Sequence, residues 1–188
     1  MTTDNDMTGG GHRKASQDSD IQDVRDIGEE PFETVVKLLD YPMFVVTTAA
    51  DGSQGGCLVG FATQASISPA RYLVALSDKN STYRLATRAT HLVVHVLGAD
   101  HRALAELFGG QTGDETDKFA QCSWRPGPGG APILDGVAGW FSGRIIERLP
   151  MGDHVGHLLE AGTGRVLQPG SDLLTLNDLG DLEAAHGA

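Results

Sequence analysis

The sequence is short of cysteine, of positive charge and of long apolar runs, and each shortage excludes a class of protein. Two cysteines in 188 residues, Cys57 and Cys122, are too few and too far apart for a disulfide scaffold or a zinc knuckle. Lysine and arginine number 14 against 25 aspartates and glutamates, a net charge of −11. Holding nucleic-acid phosphates takes clustered positive charge, so no nucleic-acid partner is expected. No stretch approaches the roughly 18 continuous apolar residues of a membrane helix. Met1-Thr2-Thr3-Asp4 lacks the basic start and apolar run of a secretory signal. The expectation is a reduced, cytoplasmic protein with no membrane partner.

Several catalytic signatures are also missing. There is no His-Glu-x-x-His helix and no Cys-x-x-Cys pair, so no metal is expected. His91 and His95 share one face of a strand pattern but stand about 13 Å apart along it, too far for one ion. No Gly-x-Ser-x-Gly elbow supports a hydrolase triad. No Gly-x-Gly-x-x-Gly leads from a strand into a helix, so a Rossmann site is not indicated.

The acidity is concentrated at the ends. Residues 1–30 carry a balance of −5 and residues 171–188 one of −4, leaving −2 for the middle. The first segment is too poor in apolar side chains to offset its ordering entropy, and is read as a disordered acidic tail over 1–30. A single domain is expected over 31–168, followed by an acidic tail over 169–188. In that tail, Leu173, Leu174, Leu176 and Leu179 are apolar enough to dock back as a strand or short helix.

Within the domain, Phe32, Val35, Val36 and Leu39 have helical spacing behind Pro31. Strands are predicted over 43–48, 55–65, 71–77, 92–97, 137–149 and 155–160. Ser81 is expected to cap a helix running to Thr90, and 101–108 reads as a second helix. Many short strands with few short helices point to a mainly β (α+β) fold, an antiparallel barrel with helical decorations. Long helices do not alternate with the strands, so a doubly wound sheet is disfavoured.

Three segments can carry chemistry. Gly60-Phe61-Ala62-Thr63-Gln64-Ala65-Ser66 exposes small and hydroxyl side chains along which a flat heteroaromatic ring can lie; a Ser/Thr-rich strand entering an X-Pro turn is the commoner explanation of such composition. Lys79-Asn80-Ser81-Thr82 offers a lysine and two hydroxyls to a phosphate; an ordinary N-cap beside a solvated lysine is the commoner explanation. Gly152-Asp153-His154 places a histidine beside a carboxylate on a turn, where it orients toward a ligand or merely faces water. Cys57, in an apolar strand, is read as packing rather than as a nucleophile.

The order of these segments resembles the flavin reductase-like family of FMN-binding split barrels. The likeness starts at Tyr41-Pro42-Met43-Phe44-Val45-Val46 and continues through Gly60 to Pro69. It includes Lys79-Asn80-Ser81-Thr82, Val94-His95-Val96-Leu97, Asp117-Lys118-Phe119 and Gly152-Asp153-His154. The resemblance implies FMN, with FAD as the alternative, bound near a homodimer interface. It implies hydride transfer from NADH or NADPH, and a role as the reductase of a two-component monooxygenase. Gly60, Phe61, Ala62, Thr63, Gln64, Ala65 and Ser66 would meet the ring. Lys79, Asn80, Ser81 and Thr82 would meet the phosphate. His154, with Asp153, would face the nicotinamide. A flavin carrier or sensor without turnover is the competing reading.

Overall fold

The run Phe44-Val45-Val46 cannot hide behind one surface, because alternate side chains of a strand point to opposite faces. The computed structural model, which describes residues 29–113 and 116–180, covers this strand on both sides. Phe44 and Val46 face a core with Val74, Leu76, Leu92, Val94 and Leu159. Val45 faces a second core with Val93, Leu97, Phe108 and Leu134. Burying each such side chain stabilises the fold by roughly 1.5–3 kcal/mol.

The chain divides into two compact units, Met1–Leu39 and Asp40–Ala188. In the first, α1 runs Glu29–Val36. The predicted 1–30 tail falls mostly on residues outside the described ones. The second unit holds β1 Phe44–Ala50, β2 Ser53–Val59, β3 Ala62–Ser66 and β4 Arg71–Ser77, then α2 Ser81–Ala86 and β5 His91–Val96. Helix α3 spans Arg102–Gly109, β6 Trp124–Pro126 and β7 Pro132–Leu134. The long hairpin of β8 Gly139–Met151 and β9 His154–Val166 precedes a short α4, Leu176–Leu179.

Seven strands form one antiparallel sheet in the order β2-β1-β5-β8-β9-β4-β3, while β6 and β7 pair separately. The fold is the mainly β split barrel. Consecutive strands β2 and β3 lie at opposite ends of this order, which corrects the reading of 55–65 as one strand. The break is Gly60-Phe61. A Cβ on Gly60 would stand 2.6 Å from the Tyr41 ring, so no other residue fits without moving it. The Phe61 carbonyl accepts from Ala75 N–H at 2.9 Å, tying the link to β4.

Two further details differ from the sequence reading. The cap of α2 is Asn80, not Ser81, since Thr82 N–H donates to Asn80 Oδ1 at 2.9 Å, and the helix ends at Ala86 rather than Thr90. Strand β9 continues to Val166, because its partner β8 is equally long. Residues 173–179 pack on the barrel: Leu173 bridges Gly98, Thr175 bridges Pro42, and Leu174 and Leu179 are buried. Arg102 holds this segment by donating to the carbonyls of Asp178 and Leu179 at 2.5 and 3.2 Å.

His95 is a core histidine. Its Nδ1 lies 2.9 Å from the Val45 carbonyl, and its Nε2 is 3.0 Å from the Leu134 amide. The carbonyl needs a donor and the amide an acceptor, so the ring is neutral with its proton on Nδ1. Burial pushes its pKa down to about 4, against the opposing pull of the Val45 bond.

Candidate active site

The β2–β3 link, the β4–α2 loop, the β8–β9 turn and α4 meet around a cavity of about 400 Å3. Its wall includes Phe61, Lys79, Asn80, Lys118, His154 and Leu176. Three rings line up along one side. Tyr41 and Phe61 have centroids 6.3 Å apart, and Phe61 and His154 5.2 Å apart. Phe61 is more than half exposed, unusual for its type unless a ligand or partner uses it.

The His154 turn is built by its glycine. Gly152 takes φ +81°, which lets β8 reverse directly into β9. The Asp153 carbonyl accepts from Asp78 N–H at 3.0 Å, so the turn is locked to the β4–α2 loop. His154 Nδ1 lies 2.7 Å from Asp153 Oδ1. That hydrogen bond and the imidazole's charge hold the Asp153 carboxyl below its ordinary range, with Lys79 adding to the effect. With Nδ1 engaged by the Asp153 carboxylate, Nε2 is the ring nitrogen left for a ligand.

Lys118 is buried, its Nζ donating to the carbonyls of Phe108 at 3.1 Å and Gly56 at 3.4 Å and lying 5.6 Å from the Phe108 ring centroid. Burial lowers its pKa. Asp117 positions it, because Asp117 Oδ1 accepts from the amides of Phe119 and Ala120 and starts the 3-10 turn Lys118–Gln121. Cys57 shares this wall, and burial pushes its thiol up to about 11, so it is no nucleophile at neutral pH.

The residues picked out in the sequence are distributed over four places. Gly60, Phe61, Lys79, Asn80, Asp153 and His154 line the cavity. Ser81 faces a neighbouring cavity of about 640 Å3, whose wall also includes Lys118. Thr82 is buried beneath. Ala62, Thr63, Gln64, Ala65 and Ser66 lie on β3, at the end of the sheet order, where Thr63, Gln64 and Ala65 are exposed and outside the cavity lining. Tyr41, Leu176 and Leu179 also line the cavity; the sequence reading had the two leucines docking back and gave Tyr41 no part in the site. Lys118 was noted there only as part of Asp-Lys-Phe; its one further signal is an isolated lysine between a capping aspartate and a phenylalanine.

Aromatic rings, two lysines and a carboxylate-bound histidine in one cavity suit a flat, anionic ligand better than covalent or metal chemistry.

The model of the flavin reductase like domain matches residues 36–176. An FMN reductase (NADH) RutF of Ancylobacter novellus is 34% identical over 129 residues, 68% of this chain and 70% of that protein. One from Cronobacter sakazakii is 31% identical over 126 residues, 67% and 75% of the two chains. Among solved structures, a flavin reductase domain protein from Arthrobacter sp. FB24 superposes with TM-score 0.67 at 27% identity, covering 74% of this chain and 85% of that one. The NADH:FAD oxidoreductase SgcE6 of Streptomyces globisporus shares the fold, with TM-score 0.72 at 22% identity over 80% and 89% of the two chains.

Proposed function

The chain belongs to the flavin reductase-like family, and from that premise we propose that the cavity beside His154 is where it brings a reduced nicotinamide and a flavin together. The protein is an NAD(P)H:flavin oxidoreductase acting on FMN or FAD, with NADH as the hydride donor of its curated relatives. The observation that carries the site is the row Tyr41, Phe61 and His154 in one cavity with Lys79 and Lys118. The fit to a flavin is chemical: rings and apolar walls for a flat heterocycle, ammonium groups for its phosphate.

When bound, the flavin supplies the hydride acceptor. The chain's own residues bind and position. Lys79 and Asn80 meet the phosphate at the cavity's edge, with Ser81 just beyond. Gly60 and Phe61 give the ring a surface, with Ala62, Thr63, Gln64, Ala65 and Ser66 continuing it along β3. His154, oriented by Asp153, directs the nicotinamide so that donor and acceptor atoms approach to roughly 3–3.5 Å. Leu176 and Leu179 keep water from one side. We also place the protein in the cytoplasm as a homodimer, the second copy covering exposed β3. Its reduced flavin serves an oxygenase partner.

The experiment is anaerobic addition of NADH to the flavin-loaded protein while the visible flavin absorbance is followed. Bleaching within seconds supports the reductase. A flavin that binds and is never reduced favours the carrier, in which α4 shuts the nicotinamide side. Failure to bind any flavin overturns both.

A further inference from the structure

Helix α2 has the proposed phosphate residues at its start, and a distant part of the chain holds its end. The last carbonyls of a helix have no partner inside it. At the end of α2 a single nitrogen meets that need: Arg148 Nη2 donates to the carbonyls of Ala86 and Ala89, each at 2.8 Å, from 62 and 59 residues away in sequence. A cation suits this place, because the C-terminal end of a helix is the negative end of its dipole.

Arg148 lies on β8 and pairs with His157 of β9, so the two side chains share a face. His157 is fully buried, its Nδ1 3.0 Å from the Val155 carbonyl. Its ring stands edge-on to Tyr83 of α2, with centroids 6.2 Å apart. Burial, and with it the Arg148 charge, lowers the His157 pKa, so the ring stays neutral beside the guanidinium. The hairpin therefore grips α2 by two hydrogen bonds and an aromatic contact.

This is the hairpin whose turn presents His154. It is tied to the same region a second time at the front, where the Asp153 carbonyl accepts from Asp78 N–H at 3.0 Å. Between the two ties lie Lys79, Asn80 and the six residues of α2, roughly 9 Å of helix. Asn80 is joined to that helix by accepting from the Thr82 and Arg84 amides at 2.9 and 3.3 Å. A helix this short moves as one piece, so a shift at Ala86 reaches Asn80 and Ser81. Held at both ends by one hairpin, α2 keeps those residues at a fixed distance from His154.

We propose that Arg148 is a positioning residue: by clamping the end of α2 to the hairpin of His154, it sets where Asn80 and Ser81 meet the flavin phosphate. The role rests on the phosphate assignment proposed above. Arg148 is not part of the wall of either cavity, so its effect passes through α2.

The experiment measures FMN and riboflavin affinity of the full-length protein by fluorescence titration, with amide exchange over Ser81–Ala86 followed in parallel. Arg148→Met keeps an apolar stem beside His157 and loses the donor. It should weaken FMN about tenfold, leave riboflavin as before and speed exchange in α2 about tenfold. Arg148→Lys should recover most of the FMN affinity, because one ammonium can serve both carbonyls as Nη2 does. Arg144→Ala, on the same strand but bonded to Glu160, should change nothing. If the methionine variant does not fold, Arg148→Gln, whose amide is too short to serve both carbonyls, is read the same way.

Equal weakening of the two flavins, or an unchanged preference for FMN despite faster exchange in α2, overturns the inference and leaves the phosphate site standing. A wild-type protein that binds FMN no better than riboflavin removes the phosphate site itself, and the role of Arg148 with it.

Discussion

The rings of Phe61 and His154 lie with centroids 5.2 Å apart and planes inclined at 57°. One comes from the link between β2 and β3 and the other from the turn between β8 and β9, so two distant parts of the chain form one surface. Replacing His154 by alanine should slow reduction by NADH about tenfold or more, because the nicotinamide loses its orientation. Flavin affinity should change little. Asp153→Asn should cost less, since its amide oxygen still accepts from Nδ1. Anaerobic stopped-flow traces, with flavin affinity measured separately, check both; unchanged reduction rates would remove His154 from the reaction.

Lys79→Ala with Ser81→Ala should weaken FMN by roughly 10- to 100-fold, the loss expected for charged hydrogen bonds. Riboflavin, which lacks the phosphate, should bind as before. Fluorescence titration of both ligands is the measurement, and equal losses would reject the phosphate assignment.

Lys118→Met removes the ammonium and leaves the carbonyls of Phe108 and Gly56 without their donor. The protein should lose about 1–3 kcal/mol of stability, and FMN should bind more weakly. Urea unfolding and flavin titration on the same preparation separate the two effects. Retained flavin affinity would limit Lys118 to a packing role.

Stability should fall in mild acid because of His95. Its folded pKa of about 4 lies below the ordinary 6.5, so the unfolded chain takes up the proton first as pH drops. The loss begins near pH 6.5, grows toward pH 4 and then levels, reaching on the order of 3 kcal/mol. Burial shifts His157 in the same direction. Denaturant midpoints across this range measure the slope, and His95→Gln should flatten it; an unchanged slope in the variant would assign the effect elsewhere.

Arg102→Ala should release 173–179, since it deletes the donors to the carbonyls of Asp178 and Leu179. Amide exchange in that segment should speed up by about tenfold, corresponding to roughly 1–1.5 kcal/mol. Unaltered protection would show that Leu174 and Leu179 hold it unaided.

Much of this was readable in the residues. Short apolar runs such as Arg71–Ser77 announce strands, and Gly152-Asp153 announces the reversal that presents His154. The reading failed where distant packing decides. Nothing local separates 55–59 from 62–65; the Tyr41 ring against Gly60 does. Ser81 is a good capping residue, yet Asn80 occupies the position because the loop turns one residue earlier. Lys118 looks like a surface lysine until the fold encloses it, and the leucines at 176 and 179 acquire meaning only beside a cavity made by residues 41–154.

Gly60-Phe61 also sets a limit on how far the barrel can gape. Val59 and Ala62 end strands on opposite margins of the sheet, yet three peptide steps span at most about 11 Å. The link is a leash across the seam: the margins cannot part there without breaking the Phe61–Ala75 bond or pulling β2 and β3 out of register.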